Sequence, residues 1–255
     1  MIQSVARAAS LLRELGGDNP RLGVTELAER VSLAKGTVHG LLRTLEAEGL
    51  VQQDPDTGKY QLGMALFRLG STVLENHPLR ARSLFWADAL ANRTRQSSRV
   101  GVLHRDHVIV VHHVFRPDDT VQILEVGASI PWYACALGKA VVAHLDAAER
   151  DRLLAEPHER LTGGTLTGRD ELGKELRRAA TAGVAGEDQE AIVGEAGLAA
   201  PVFDSGGRVA GALGITGPAD RFGDDDLPGL QAAVRECARG LSRDLGARRR
   251  TPGSD

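Results

Sequence analysis

The chain has 255 residues, 42% of them hydrophobic and 25% charged, with a formal net charge of −3. That length suits two domains better than one, and no apolar run approaches the roughly 20 residues that a membrane helix requires. A strongly basic balance, the usual footprint of nucleic-acid binding, is excluded as a bulk property: residues 1–62 carry seven arginines and lysines against eight aspartates and glutamates.

Residues Ser4 to Leu15 place Val5, Ala8, Ala9, Leu12 and Leu15 at helical spacing, and "GGDNP" stops the run. The segment holds arginines and a glutamate rather than the apolar stretch of a signal peptide, so a cytoplasmic location is expected. "VTELAERV" predicts a short helix with Thr25 as N-cap. After a turn at "SLAK", the side chains Val38, Leu41, Leu42 and Leu45 fall at i, i+3, i+4 and i+7 of a further helix. Its other face offers Gly36, Gly40, Arg43 and Ala47, flanked by Thr37 and His39. A face so small, with few long polar groups, suits a helix that presses against a partner. Gly49 suits the left-handed C-terminal cap. "LVQQDPDTGKYQLG" reads as two short strands around a turn.

Helix, helix, turn, helix, hairpin is the order of a winged helix-turn-helix, which lays its second motif helix in the DNA major groove. The candidate DNA contacts are Lys35, Thr37, His39, Arg43 and, in the wing, Lys59. Arg43 has the reach for a guanine edge or a phosphate, while Lys35 and Lys59 are placed for phosphates. The bland alternative is an ordinary helical hairpin with no nucleic acid.

"MALFRLGSTVLENHPL" predicts a connector helix punctuated by Pro78. "SSRVGVLHRDHVIVVHHVF" holds two β-rich runs separated by "HRDH", and "TVQILEVGAS" is a further strand candidate. "IPWYACALGKAVVAHL" reads as a loop entering a helix, and "DELGKELRRAATAG" as an amphipathic helix. "GLAAPVFDSGGRVAGALGITGP" reads as a hairpin turning at "DSGG". In the last helix Leu227, Leu230, Val234, Cys237, Leu241 and Leu245 recur at helical spacing. Hairpins with interspersed helices predict an α+β domain around an antiparallel sheet. The organisation expected is a DNA-binding domain over 1–62, a connector over 63–77, a second domain over 78–247 and a polar tail over 248–255.

Taken in order, "SVARAASLLREL", "LGVTELAERVSLAKGTVHGLLRTLEAEGLVQQDPDTGKYQLG", "IPWYACALGKAVVA" and "GVAGEDQEAIVGEAGLAAPVFDSGGRVAGALGITGP" resemble the IclR-type bacterial transcriptional regulators over nearly the whole chain. The resemblance implies a GAF-like effector domain flanked by helices, and dimers or dimers of dimers that bind double-stranded operator DNA. Within the family the chain is most similar to glycerol-operon regulators, which implies a repressor released by the small anionic metabolite glycerol 3-phosphate. Control of another carbon-source operon is the alternative within the family. Two departures touch sites: Gly40 stands where relatives commonly have arginine. Gly197 stands where they often have cysteine, with Gly214 and Thr216 in place of paired hydroxyls.

The resemblance places the effector at the "ACALGKA" turn, against the amides of Ala136 and Leu137. Helix-start amides bind anions, and the small residues Cys135 and Gly138 allow close approach. Gly197 and Gly214 are expected to widen the pocket, and Asp188 and Thr216 to meet ligand hydroxyls. Lys139 offers either a charge for the ligand or a stem lying on the surface. "EDQE", Glu187 to Glu190, offers a metal ligand, a hydroxyl acceptor or a plain solvated loop. A different class of function, a small-molecule enzyme with a helix-turn-helix as interaction module, needs a catalytic constellation. Cys135 as nucleophile with His112 or His113 as base lacks a third orienting residue. No cofactor or metal is expected.

Overall fold

The computed structural model describes residues 2–17, 19–118 and 120–247; the tail expected at 248–255 lies outside them. The chain divides into two units, 1–76 and 77–255. No helix among the described residues is long and apolar enough to cross a membrane.

The first unit runs α1 (Gln3–Leu15), α2 (Val24–Arg30), α3 (Lys35–Ala47), β1 (Val51–Gln53), β2 (Tyr60–Leu62) and α4 (Met64–Glu75). Its core gathers Leu11, Leu15, Leu27, Val38, Leu42 and Tyr60. In α1 the inward stripe runs through Leu11 and Leu15, not through Val5, which is 64% exposed; the first turn extends past the core. Thr25 does not cap α2. Gly23 is the N-cap, and its N–H donates to the Glu26 carboxylate at 2.7 Å, which satisfies one orphan amide of the helix start. At the end of α3, Leu50 N–H donates to Leu45 C=O at 2.8 Å and Gly49 N–H to Glu46 C=O at 2.9 Å. Gly49 sits at φ +69°, a left-handed conformation in which glycine carries no Cβ penalty. β1 and β2 pair antiparallel, and Leu22 bridges to Tyr60 beyond them. The wing turn is held by Asp54, whose carboxylate accepts from the N–H groups of Asp56 (2.9 Å) and Thr57 (3.3 Å).

The second unit runs α5 (Pro78–Thr94), β3 (Ser97–His104), β4 (His107–Val114), β5 (Ser129–Pro131), α6 (Ala136–Val142), α7 (Ala147–Ala155), α8 (Arg169–Ala182), β6 (Ala185–Asp188), β7 (Glu195–Phe203), β8 (Val209–Pro218) and α9 (Leu227–Asp244). Among the described residues the strands form one antiparallel sheet in the order β5-β4-β3-β8-β7-β6. The helices α5 and α9 pack against each other and on the sheet, while α6 packs on the sheet through β7, β8, β3 and β6 and against α8. The strand expected over "TVQILEVGAS", residues 120–129, does not form except at Ser129, where β5 begins. Its side chains Val121 and Ile123 stand 98% and 81% exposed, and backbone bonds to β4 begin only at Gly127, whose N–H donates to Val110 C=O at 2.8 Å. Sequence reading also passes over α5 and α7. The buried side of α5 mixes Leu79 and Leu90 with Ser83, Ala87 and Thr94, so its apolar stripe is faint.

Candidate functional site

In the first unit α3 turns Val38, Leu42 and Leu45 inward and leaves Lys35, Gly36, Thr37, His39, Gly40 and Arg43 exposed. A Cβ built at Gly36 or Gly40 meets nothing within 4 Å. The fold therefore does not require either glycine, although glycine inside a helix costs about 1 kcal/mol relative to alanine. Among the described residues neither Lys35 nor Arg43 forms an ion pair, so both charges are open to a partner. Lys59 differs: its ammonium lies 3.5 Å from the Glu26 carboxylate on α2. With both side chains over 40% exposed, such a pair is weak and exchangeable.

In the second unit the strand register sets Arg99 opposite Gly214, Ser97 opposite Thr216, Thr216 opposite Gly197 and Gly197 opposite Glu187. These residues share one face of the sheet because side chains alternate along strands. Arg99, Cys135, Ala136, Leu137, Glu187, Gly197, Gly214 and Thr216 line a cavity of about 20 Å³, room for one water molecule. Arg99 and Thr216 also line a neighbouring cleft of about 480 Å³, with His113, Gln122, Glu125 and Glu195.

Six of the eight expected effector residues thus meet at one place. The glycines do not widen it. A Cβ at Gly214 would stand 2.5 Å from Leu198 C=O, and one at Gly197 2.9 Å from Ile215 C=O, so both permit close strand packing. Gly138 is not in the lining: it is buried on the backbone of Trp132, where a Cβ would fall 2.2 Å from the carbonyl oxygen. Asp188 is exposed and sits one residue past the shared face, opposite Ala196. Glu187 faces the cavity in its place.

The first turn of α6 leaves the amides of Ala136 and Leu137 without intrahelical partners, whereas Gly138 N–H donates to Cys135 Sγ at 3.4 Å. Burial pushes the Cys135 thiol up to about 12, so it is a neutral cap and not a thiolate nucleophile. Lys139 is wholly buried, its ammonium 2.5 Å from Glu190 and 3.3 Å from Gly186 C=O; it is neither a ligand charge nor a surface stem. Burial raises Glu187 to about 7, with the Glu190 carboxylate adding to the effect and the Glu190 N–H opposing it.

Sequence reading missed Arg99, which donates to Glu125 at 2.6 Å and lies 3.9 Å from Glu195. Burial, then Arg99 and His112, lowers His113 to about 4. His113 therefore stays neutral near pH 7, and its Nδ1 accepts from Glu125 N–H at 3.2 Å. His112 faces α5 instead, near Arg80 and Asp88. An arginine within the apolar run "SSRVGV" was the available signal, but only the register shows what it faces.

Comparison with known proteins gives a consistent picture. Residues 4–55 match the family model described as IclR helix-turn-helix domain, and residues 71–243 the one described as Bacterial transcriptional regulator IclR C-terminal. The chain is 47% identical to the glycerol operon regulatory protein of Streptomyces coelicolor, over 97% of this chain and 98% of that one. It is 46% identical to the protein of the same name from Streptomyces griseus, with the same coverage. Among solved structures it resembles an IclR transcriptional regulator from Alicyclobacillus acidocaldarius with a TM-score of 0.84 and 29% identity, covering 96% of this chain and 100% of that one.

Proposed function

The chain belongs to the IclR family of bacterial transcriptional regulators, and from that premise we propose that it represses a glycerol catabolic operon and is released by glycerol 3-phosphate. As a member of the family it is a ligand-responsive DNA-binding regulator and not an enzyme. The observation that carries the narrower reading is 46–47% identity across almost the whole chain to two glycerol operon regulatory proteins.

On this reading α3 enters the major groove. Glycine at 36 and 40 lets the backbone approach closely, Arg43 reaches a base edge or phosphate, and Lys35 and Lys59 hold phosphates, with Thr37 and His39 beside them. Two protomers supply two such helices for half-sites about 34 Å apart or a multiple. Exposed apolar side chains on the first unit, Val5, Met64, Phe67 and Val73, support self-association, as a dimer or dimer of dimers. The sheet with helices on both faces supports a GAF-like effector domain, with α4 as connector. The effector sits at the cavity of Ala136, Leu137, Glu187 and Thr216, enlarging it on entry, with its anionic group at the α6 amides and Arg99. It releases DNA only by binding more tightly to the DNA-free arrangement.

The test is fluorescence anisotropy on the operator region upstream of the chain's own gene cluster. Glycerol 3-phosphate should dissociate the complex, with glycerol weaker and neither consumed. Binding that ignores glycerol 3-phosphate but responds to another metabolite would reassign the operon.

A further inference from the structure

Arg99 carries the positive charge of the cavity and is already engaged. Its Nη2 donates to Glu125 Oε1 at 2.6 Å, Nε and Oε2 are in ion-pair contact without hydrogen-bond geometry, and its side chain is only 13% exposed. A guanidinium also suits a ligand carboxylate or phosphate. We propose that the Glu125 carboxylate is a built-in stand-in for the effector's anionic group, held on Arg99 until a ligand phosphate or carboxylate displaces it. The inference rests on reading this cavity as the effector site.

Glu125 reaches Arg99 from residues 120–128, between β4 and β5, which form neither helix nor strand. Polar contacts of Gln122 hold the segment: its Oε1 accepts from Ser97 Oγ at 2.9 Å and Arg116 N–H at 2.7 Å. Val121, Ile123 and Leu124 are 98%, 81% and 60% exposed, so little apolar burial resists its displacement. Burial also keeps Glu125 above the ordinary carboxylate range despite the adjacent arginine; its charge is carried at a cost. Arg99 borders both the small cavity and the larger cleft, so vacating Glu125 frees a cation facing both. A neutral polyol has no group to compete for Arg99, which makes the exchange selective for anions.

Calorimetry on full-length wild type, Glu125→Gln and Arg99→Gln, with glycerol 3-phosphate, glycerol and inorganic phosphate, tests this. Loss of the internal competitor should tighten glycerol 3-phosphate about tenfold in Glu125→Gln, and Arg99→Gln should weaken it about tenfold, with glycerol unchanged. Arg99→Lys, which keeps the charge, covers the case in which Arg99→Gln does not fold. Equal or weaker glycerol 3-phosphate binding by Glu125→Gln overturns the proposal, as does an equal change for glycerol. If neither wild type nor Glu125→Gln binds glycerol 3-phosphate, the effector assignment falls on its own. Phosphate then decides: binding gained by Glu125→Gln upholds the stand-in, and no gain overturns it.

Discussion

At residue 187 a carboxyl faces a cavity that burial keeps protonated to about pH 7. In the unfolded chain the same group gives up its proton near its ordinary value of 4.5. Between those values the folded state binds more protons, so stability falls as pH rises through that window and then levels. His113 slopes the other way, because its folded value near 4 lies below its ordinary 6.5, and over most of the window the two oppose. Glu187→Gln removes one slope. Relative to wild type the variant should match at pH 5 and be more stable by about 1–3 kcal/mol at pH 8. Urea denaturation at the two pH values measures this, and equal differences at both would place Glu187 in water. The buried Lys139 offers a complementary test. Lys139→Met leaves Glu190 buried without its partner and should cost about 3–5 kcal/mol of stability in the second unit, read by the same denaturation at neutral pH.

The helix α3 shows how a functional element departs from the best local choice. Gly40 sits in the middle of a 13-residue helix with open space around it, so Gly40→Ala should stabilise the first unit by about 0.5–1 kcal/mol. If the glycine serves groove approach, operator affinity should fall although stability rises; a gain in both would leave Gly40 without a role at the interface. Arg43→Ala, by contrast, should leave stability unchanged and weaken operator binding by about 1–3 kcal/mol, concentrated on one base position if it reads a base. This element was legible because Val38, Leu42 and Leu45 give a clean 3.6-residue period and Gly49 a clean stop. Much of the sheet was legible for the same reason, through runs such as "HVIVVHHV". The segment 120–128 was not: Val121 and Ile123 alternate with polar neighbours as a strand would, but among the described residues no partner strand lies beside them. The "ACALGKA" turn was legible as a site, whereas assigning Asp188 over Glu187 was a one-residue error in a period of two. Arg99 stayed hidden because its partners are distant in sequence: strand register brings Gly214 opposite it, and the segment between β4 and β5 brings Glu125.

Across the whole molecule, one net-negative chain must bind a polyanion and then release it. The negative total does not forbid this, because affinity depends on where cations meet phosphates. If Lys35, Arg43 and Lys59 each neutralise a phosphate in both protomers of a dimer, log affinity should fall with log salt at a slope of about −5. Each cation replaced should lower that magnitude by about 0.9 per protomer. Anisotropy titrations at several salt concentrations give the slope directly, and a salt-independent affinity contradicts the charge placement. Effector and operator bind different units of the chain on the proposed reading, so any effect of one on the other is a coupling free energy shared by both. If glycerol 3-phosphate weakens operator affinity by some factor, of order 5–150-fold for couplings of this kind, the operator must weaken glycerol 3-phosphate by the same factor. Calorimetric titration of the effector with and without saturating operator DNA, set beside operator titrations with and without effector, compares the two ratios. Ala136→Leu adds bulk at the lining of a cavity of only about 20 Å³ and should abolish effector binding while sparing operator affinity. Unequal ratios in the wild type would mean that release proceeds through a step outside this linkage, such as a change in oligomeric state. A response that survives Ala136→Leu would place the effector away from the α6 turn.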